Sequence, residues 1–166
     1  RVLLAVADAI GQNAHALLSA NAADLGRMDR NNPLYDRLLL TPQRLDDIAP
    51  GMRHVAALPS PLGRTLCRRT LPNGLLLRKV SVPFGVIGII YEAGPNVSFD
   101  VFSLCFKSGS ACVLKGGKDA DSSNRAIVAL LHRVLQQQGI ATGAVQLLPA
   151  THQSAADMLC AVGYID

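Results

Sequence analysis

The run Lys115-Gly116-Gly117-Lys118 combines the residue types that hold a phosphate or a ribose. Such a group needs backbone that comes close, a helix N-terminus facing it, and a cation or donor at a strand end. Two glycines open the backbone, two lysines flank them, and Asp121, Ser122 or Ser123 can cap a following helix. The same run equally suits an exposed strand-to-helix loop, and its local spacing does not choose between the two. The usual GxGxxG dinucleotide fingerprint after a first strand is absent, because Gly85 and Gly88 precede or lie inside a strand-like run. The turn Tyr91–Asn96 lies at a second strand end and offers Asn96 as a side-chain amide donor.

The cysteines, at 67, 105, 112 and 160, form no CxxC pair and have no histidine at metal-ligand spacing, so no metal site is expected. Cys105, Cys112 and Cys160 fall in apolar stretches and read as buried free thiols in a reducing compartment, and all four cysteines are assigned to structure.

The elements that must position these residues come in three segments. In residues 1–58, Val2, Leu3, Val6, Ala9, Ile10, Leu17 and Leu18 recur at helical spacing, which predicts one helix over 1–20 or two pieces joined near Gly11. Asn21–Asp24 reads as the cap of a further short helix. Thr41-Pro42 reads as an N-cap with proline at the first helical position, opening a helix from about 42 to 57. In residues 59–82 the period changes. Arg64–Thr70 and Leu75–Val82 are strand-like, and Asn73-Gly74 between them signals a hairpin. A lone ribbon is marginal in water, so this arm is expected to pair with another part of the protein or another subunit.

Residues 83–166 follow βαβ logic. Strands are predicted at Gly85–Tyr91, Ala111–Lys115 and Ala144–Leu148, with a fourth beginning at Tyr164–Asp166. Helices are predicted at Val97–Lys107, after Asp121 with Ala126, Ile127, Leu130, Leu131, Val134 and Leu135 on its apolar face, and at His152–Cys160. Gly139 suits a left-handed C-cap. The expected fold is therefore α/β, a Rossmann-like parallel sheet with helices on both faces, preceded by N-terminal helices and a β-hairpin. Ligands of such sheets bind beyond the carboxyl ends of the strands, here residues 91–96, 115–118 and 148–152.

Composition narrows the function classes. Hydrophobic residues make up 49% of the 166 residues and charged ones 17%, a balance that favours a packed core over disorder. The longest apolar runs, such as Val86–Tyr91, are far shorter than the roughly 20 residues a membrane helix needs. The opening residues lack a basic start followed by an apolar block, so a cytoplasmic protein without membrane contact is expected. The formal charge of +4 is spread thinly, which argues for a solvated surface rather than a nucleic-acid interface.

Longer stretches carry a resemblance. NAADLGRM at 21–28, YDRLLLT at 35–41, LPSPLGR at 58–64, PNGLLLRKVSVPFGV at 72–86, the run from Val82 to Asn124 and GAVQLL at 143–148 closely resemble the γ-glutamyl phosphate reductase family, within the aldehyde dehydrogenase superfamily. The resemblance implies NADPH-dependent reduction of γ-glutamyl phosphate to glutamate 5-semialdehyde and phosphate in proline biosynthesis. A cysteine thiolate attacks the acyl phosphate, phosphate leaves, and hydride reduces the thioester. That cysteine is expected beyond Asp166, so this chain is read as the N-terminal, cofactor-binding portion and as inactive by itself. A non-catalytic nucleotide-binding or oligomerisation module is the alternative.

The resemblance also implies roles for residues. Lys115 corresponds to a lysine that reaches the adenine-side ribose. Lys118 stands where many NAD-preferring relatives carry a glutamate for the ribose 2′-hydroxyl, and a cation there favours the 2′-phosphate of NADP. Residues 82–118 thus form the expected nucleotide face, with Lys115, Gly116, Gly117 and Lys118 as cofactor residues. Asn96 is the candidate oxyanion or substrate contact. Two positions depart from the family's usual EARPN and SGNA: Gly94 stands in place of arginine and Ser110 in place of asparagine. An arginine at 94 would bind the acyl phosphate or the substrate carboxylate, so the first departure bears on substrate binding. The arm at 59–82 implies a homo-oligomer.

Overall fold

Helical periodicity at the start of the chain produces two helices, α1 (Val2–Gln12) and α2 (Ala14–Leu25), meeting at 70°. The break falls at Asn13, whose side-chain amide turns back to the Ala9 carbonyl at 2.8 Å. The computed structural model describes residues 1–165. A short turn of helix, α3 (Tyr35–Leu38), leads to α4 (Pro42–Ala57). The Thr41 hydroxyl accepts the Arg44 N–H at 3.1 Å, so the predicted cap forms, and the helix runs through Pro50 without ending. α1 buries Val2, Leu3, Val6 and Ile10 in the core it shares with α4 and α6.

Strands β1 (Thr65–Thr70) and β2 (Leu76–Val80) form the expected antiparallel ribbon. Its loop is closed by Gly74 N–H to Leu71 C=O and by Leu71 N–H to Leu75 C=O, so three residues, 72–74, make the turn. Every residue of both strands is exposed.

The rest is a parallel sheet of β3 (Val86–Ile90), β4 (Ala111–Lys115) and β5 (Val145–Leu147), in that spatial order. α5 (Asn96–Lys107) and α6 (Asp121–Gln137) make the two crossovers. Two right-handed crossovers stepping in one direction put both helices on one face. α7 (His152–Leu159) is mostly exposed and reaches β3 through Met158, its one buried residue. Gly88 makes room for it, since a Cβ there would lie 3.1 Å from Met158 Sδ. The α/β class, the parallel sheet and the hairpin are as the alternating pattern predicts.

The core centres on α6, whose Ile127, Leu130, Leu131, Val134 and Leu135 are all at most 3% exposed. Each such side chain contributes roughly 1.5–3 kcal/mol by leaving water. The helix ends as expected at Gly139 (φ +70°), with Ile140 N–H reaching back to Leu135 C=O at 2.9 Å.

Some expectations are corrected. Asn21 and Asp24 do not cap a new helix. They lie inside α2, each 1% exposed, and clamp the start of α6 instead. β3 is half-buried rather than enclosed on both faces, because it edges the sheet among the described residues and Ile90 remains 44% exposed. Cys105 and Cys112 are buried, whereas Cys67 on the hairpin and Cys160 after α7 are exposed. Tyr164 and Ile165 form no extended strand, only an isolated bridge between Val162 and Ile165; Asp166, the end of that expected strand, lies outside the described residues.

Candidate functional site

The carboxyl ends of β3 and β4 continue their pairing past the sheet. Ile90 is in register with Lys115, Tyr91 N–H donates to Lys115 C=O at 3.1 Å, and Gly117 N–H donates to Glu92 C=O at 3.0 Å. The glycine pair is required by this contact, not by unusual dihedral angles. A Cβ on Gly117 would sit 2.4 Å from the Glu92 oxygen, and one on Gly116 would sit 2.2 Å from Asn124 Nδ2. The open backbone anticipated for a ligand thus serves first to lay the loop against the neighbouring turn and α6.

Beneath the loop runs a chain of buried polar groups. Tyr91 Oη and Ser98 Oγ are 2.6 Å apart, and Ser98 Oγ donates to Asn124 Oδ1 at 3.2 Å. Burial pushes the Tyr91 phenol up from its ordinary value, and the bond to Ser98 opposes that shift. Asn124 Nδ2 is buried with no partner among the described residues.

The start of α6 is capped from a distance. The Asp24 carboxylate accepts Ser122 N–H at 3.1 Å, Ser123 N–H at 2.7 Å and the Ser123 hydroxyl at 2.6 Å. Arg27 closes over it and donates to Ser122 Oγ at 3.0 Å. Asn21 bonds Ser123 Oγ, the Leu38 carbonyl and the Leu40 N–H. The expected local caps, Asp121, Ser122 or Ser123, do not act as caps, because a carboxylate from α2 already fills the helix start. The Ser122 and Ser123 amides at the start of α6 are thus already taken and are not offered to an anion at this loop.

Two cations are available. Lys115 is 9% exposed and makes no hydrogen bond or ion pair with the described residues. Lys118 begins a short 3-10 turn, is exposed, and has no protein partner among the described residues. A lysine buried to this degree without a counter-ion is costly unless its ammonium meets a ligand or solvent.

Asn96 lies elsewhere. It starts α5, is exposed, and lines a cleft of about 540 Å³ between α3–α4 and the turn before α5. That cleft is lined by neither Lys115 nor Lys118. Gly94 in the same turn has φ +118°, a conformation that an arginine there would adopt only with strain. Ser110 sits at the opposite, amino-terminal edge of β4, 4% exposed, where its hydroxyl accepts Phe84 N–H at 3.2 Å. That substitution is structural and does not touch the strand ends. No His, Cys, Asp and Glu cluster that could hold a metal exists among the described residues. Residue-level reasoning missed Asp24, Asn21 and Asn124 as the supports of the loop. The signal for the first two was the NAADL stretch, whose local pattern suggests only a helix cap.

No protein-family model matches the chain. The chain is similar from end to end to γ-glutamyl phosphate reductase of Bacteroides thetaiotaomicron, with 59% identity over 166 residues. It spans 40% of that relative's length. Among solved structures, γ-glutamyl phosphate reductase of Thermotoga maritima aligns with 99% of this chain at a TM-score of 0.94 and 29% identity, over 41% of its own chain. The Saccharomyces cerevisiae γ-glutamyl phosphate reductase gives a TM-score of 0.88 at 33% identity, covering 99% of this chain and 43% of its own. An NAD-dependent aldehyde dehydrogenase of Sinorhizobium meliloti shares the fold at a TM-score of 0.68 and 20% identity, over 31% of its length.

Proposed function

We propose that this chain is the N-terminal, cofactor-binding portion of a cytoplasmic, homo-oligomeric reductase that uses NADPH to convert γ-glutamyl phosphate to glutamate 5-semialdehyde and phosphate in proline biosynthesis. The end-to-end similarity to γ-glutamyl phosphate reductases supports the reaction class. The observation that carries the cofactor assignment is the pair Lys115 and Lys118, both without protein partners among the described residues, at the carboxyl end of a parallel strand.

The residues present fit a phosphorylated dinucleotide. Lys115 and the backbone of Gly116 and Gly117 would hold the adenine-side ribose, and the exposed Lys118 would face its 2′-phosphate. A glutamate at 118 would repel that phosphate. The bound cofactor supplies the hydride. The chain's own part is to hold the nucleotide at the strand ends while Asp24 and Asn21 fix the start of α6 behind the loop. Asn96 is assigned as a substrate or oxyanion contact from the α5 side. The acylated cysteine is assigned to chain beyond Asp166 on the resemblance to the family; Cys105 and Cys112 are buried, Cys67 lies out on the arm, and Cys160, though exposed, lies outside any stretch that resembles the family's nucleophile segment. The exposed ribbon, with Leu66, Leu76, Leu77 and Val80 each more than 40% exposed, supports the oligomer.

The test is Lys118→Glu in the complete enzyme. The ratio of kcat/KM with NADPH to that with NADH is expected to fall at least about tenfold, the scale of one lost charge contact. An unmoved ratio would remove Lys118 from the cofactor site.

A further inference from the structure

The cleft beside Asn96 is not explained by the nucleotide face. It holds about 540 Å³, within the range of small-molecule sites. Its charged lining residues are Asp36, Arg37, Arg44, Asp47 and Asp100. Arg44 is committed to the Asp36 carboxylate at 2.8 Å and to the Asp36 and Leu39 carbonyls. Asp47 accepts the Gln43 amide at 3.1 Å. The side chains of Arg37 and Asp100 make no hydrogen bond or ion pair with the described residues. One cation and one anion are thus left over at a single cleft, with Leu39, Leu40, Ile48 and Val97 supplying apolar wall. Partial desolvation pushes the carboxyl of the exposed Asp100 up from its ordinary value.

We propose that this cleft binds the zwitterionic α-amino-acid head of the substrate, with Arg37 facing the α-carboxylate, Asp100 the α-ammonium, and the apolar wall the methylenes between head and reacting carbon. A single anion or a single cation would leave one of these two charges unmatched, whereas an amino acid answers both. The inference rests on the reductase reading above, because only that reading brings an amino-acid substrate to the chain. It also accounts for Gly94: a substrate cation supplied by Arg37 removes the need for an arginine in a turn whose φ of +118° disfavours one.

The test uses the complete enzyme in the oxidative direction with phosphate and NADP, and with three aldehydes: glutamate 5-semialdehyde, glutarate semialdehyde lacking the amino group, and pentanal lacking both charges. Arg37→Gln is expected to lower the kcat/KM ratio of glutamate 5-semialdehyde over pentanal at least tenfold. Asp100→Asn is expected to lower the ratio of glutamate 5-semialdehyde over glutarate semialdehyde by a similar factor. Arg37→Lys should recover most of the first ratio. Ratios that stay within twofold of wild type, or an Arg37→Gln effect equal on all three aldehydes, overturn the cleft assignment while leaving the reductase reading intact. Wild-type enzyme that does not turn over glutamate 5-semialdehyde with NADP overturns both. Arg37 is exposed and unpartnered, so its variants are expected to fold, and thermal unfolding within about 2 °C of wild type checks this.

Discussion

Replacing Asp24 by alanine removes a buried carboxylate that closes the N-terminus of α6 from another helix. Three donors lose their acceptor: Ser122 N–H, Ser123 N–H and the Ser123 hydroxyl, the last two on a residue 1% exposed. Loss of an N-cap costs about 1 kcal/mol. Leaving buried donors unsatisfied adds about 2 kcal/mol. The Arg27 guanidinium is mostly in solvent, with its side chain 58% exposed, and adds little. The expected total of about 3 kcal/mol corresponds to a fall in Tm of roughly 6–12 °C for a chain of this size. Urea unfolding of the variant measures the free energy, and hydrogen exchange at the amides of 122–124 shows whether the loss is local to the start of α6. Asp8→Ala is the control. It breaks the exposed Arg53–Asp8 pair at 2.7 Å, whose side chains are 48% and 61% exposed, and is expected to cost less than about 0.5 kcal/mol. An Asp24→Ala cost below about 1 kcal/mol would refute the view that this remote cap holds the loop at 115–118 in place.

Other expectations follow from the same geometry. Gly117→Ala places a methyl 2.4 Å from the Glu92 carbonyl, which should cost about 2 kcal/mol or more and weaken NADPH binding, read by urea unfolding and by nucleotide titration of the complete enzyme. Asp100→Asn should stabilise the protein at neutral pH. The folded state binds the Asp100 proton more tightly than the unfolded state, so the wild type is penalised above the raised pKa, and the penalty fades as pH falls toward 3.8; unfolding measured across the acid range should show the two proteins converging. A thiol-modifying dye should label Cys67 and Cys160 rapidly in the native protein and spare Cys105 and Cys112 until it unfolds, with labelled positions read by peptide mapping. The bond to Cys105, and after it burial, push the Cys112 thiol far up, which reinforces its inertness.

Much of the fold is legible because its signals are local. The Thr41-Pro42 start, the Asn73-Gly74 hairpin, the stripe on α6 and the Gly139 stop each depend on residues within a turn or two of one another. Buried strands of unbroken apolar residues, separated by helical stretches, suffice to expect a parallel sheet. The candidate residues Lys115 and Lys118 are visible as a spacing. What the spacing misassigns is the reason for the glycines between them.

Sequence by itself determined the order of the elements, the parallel sheet and the loop at which cations gather, because periodicity and turn chemistry act over a few residues. Only the tertiary structure decided what supports that loop. Asp24 and Ser123 are 99 residues apart, and Asn21 and Ser123 are 102 apart, so no local pattern could pair them. The same holds for the cleft, where folding brings Arg37 and Asp100 to one cavity and leaves both charges without a protein partner among the described residues. A buried carboxylate seeks its donors, and an unmatched charge its ligand, through space, and the chain's order along the backbone does not constrain that search.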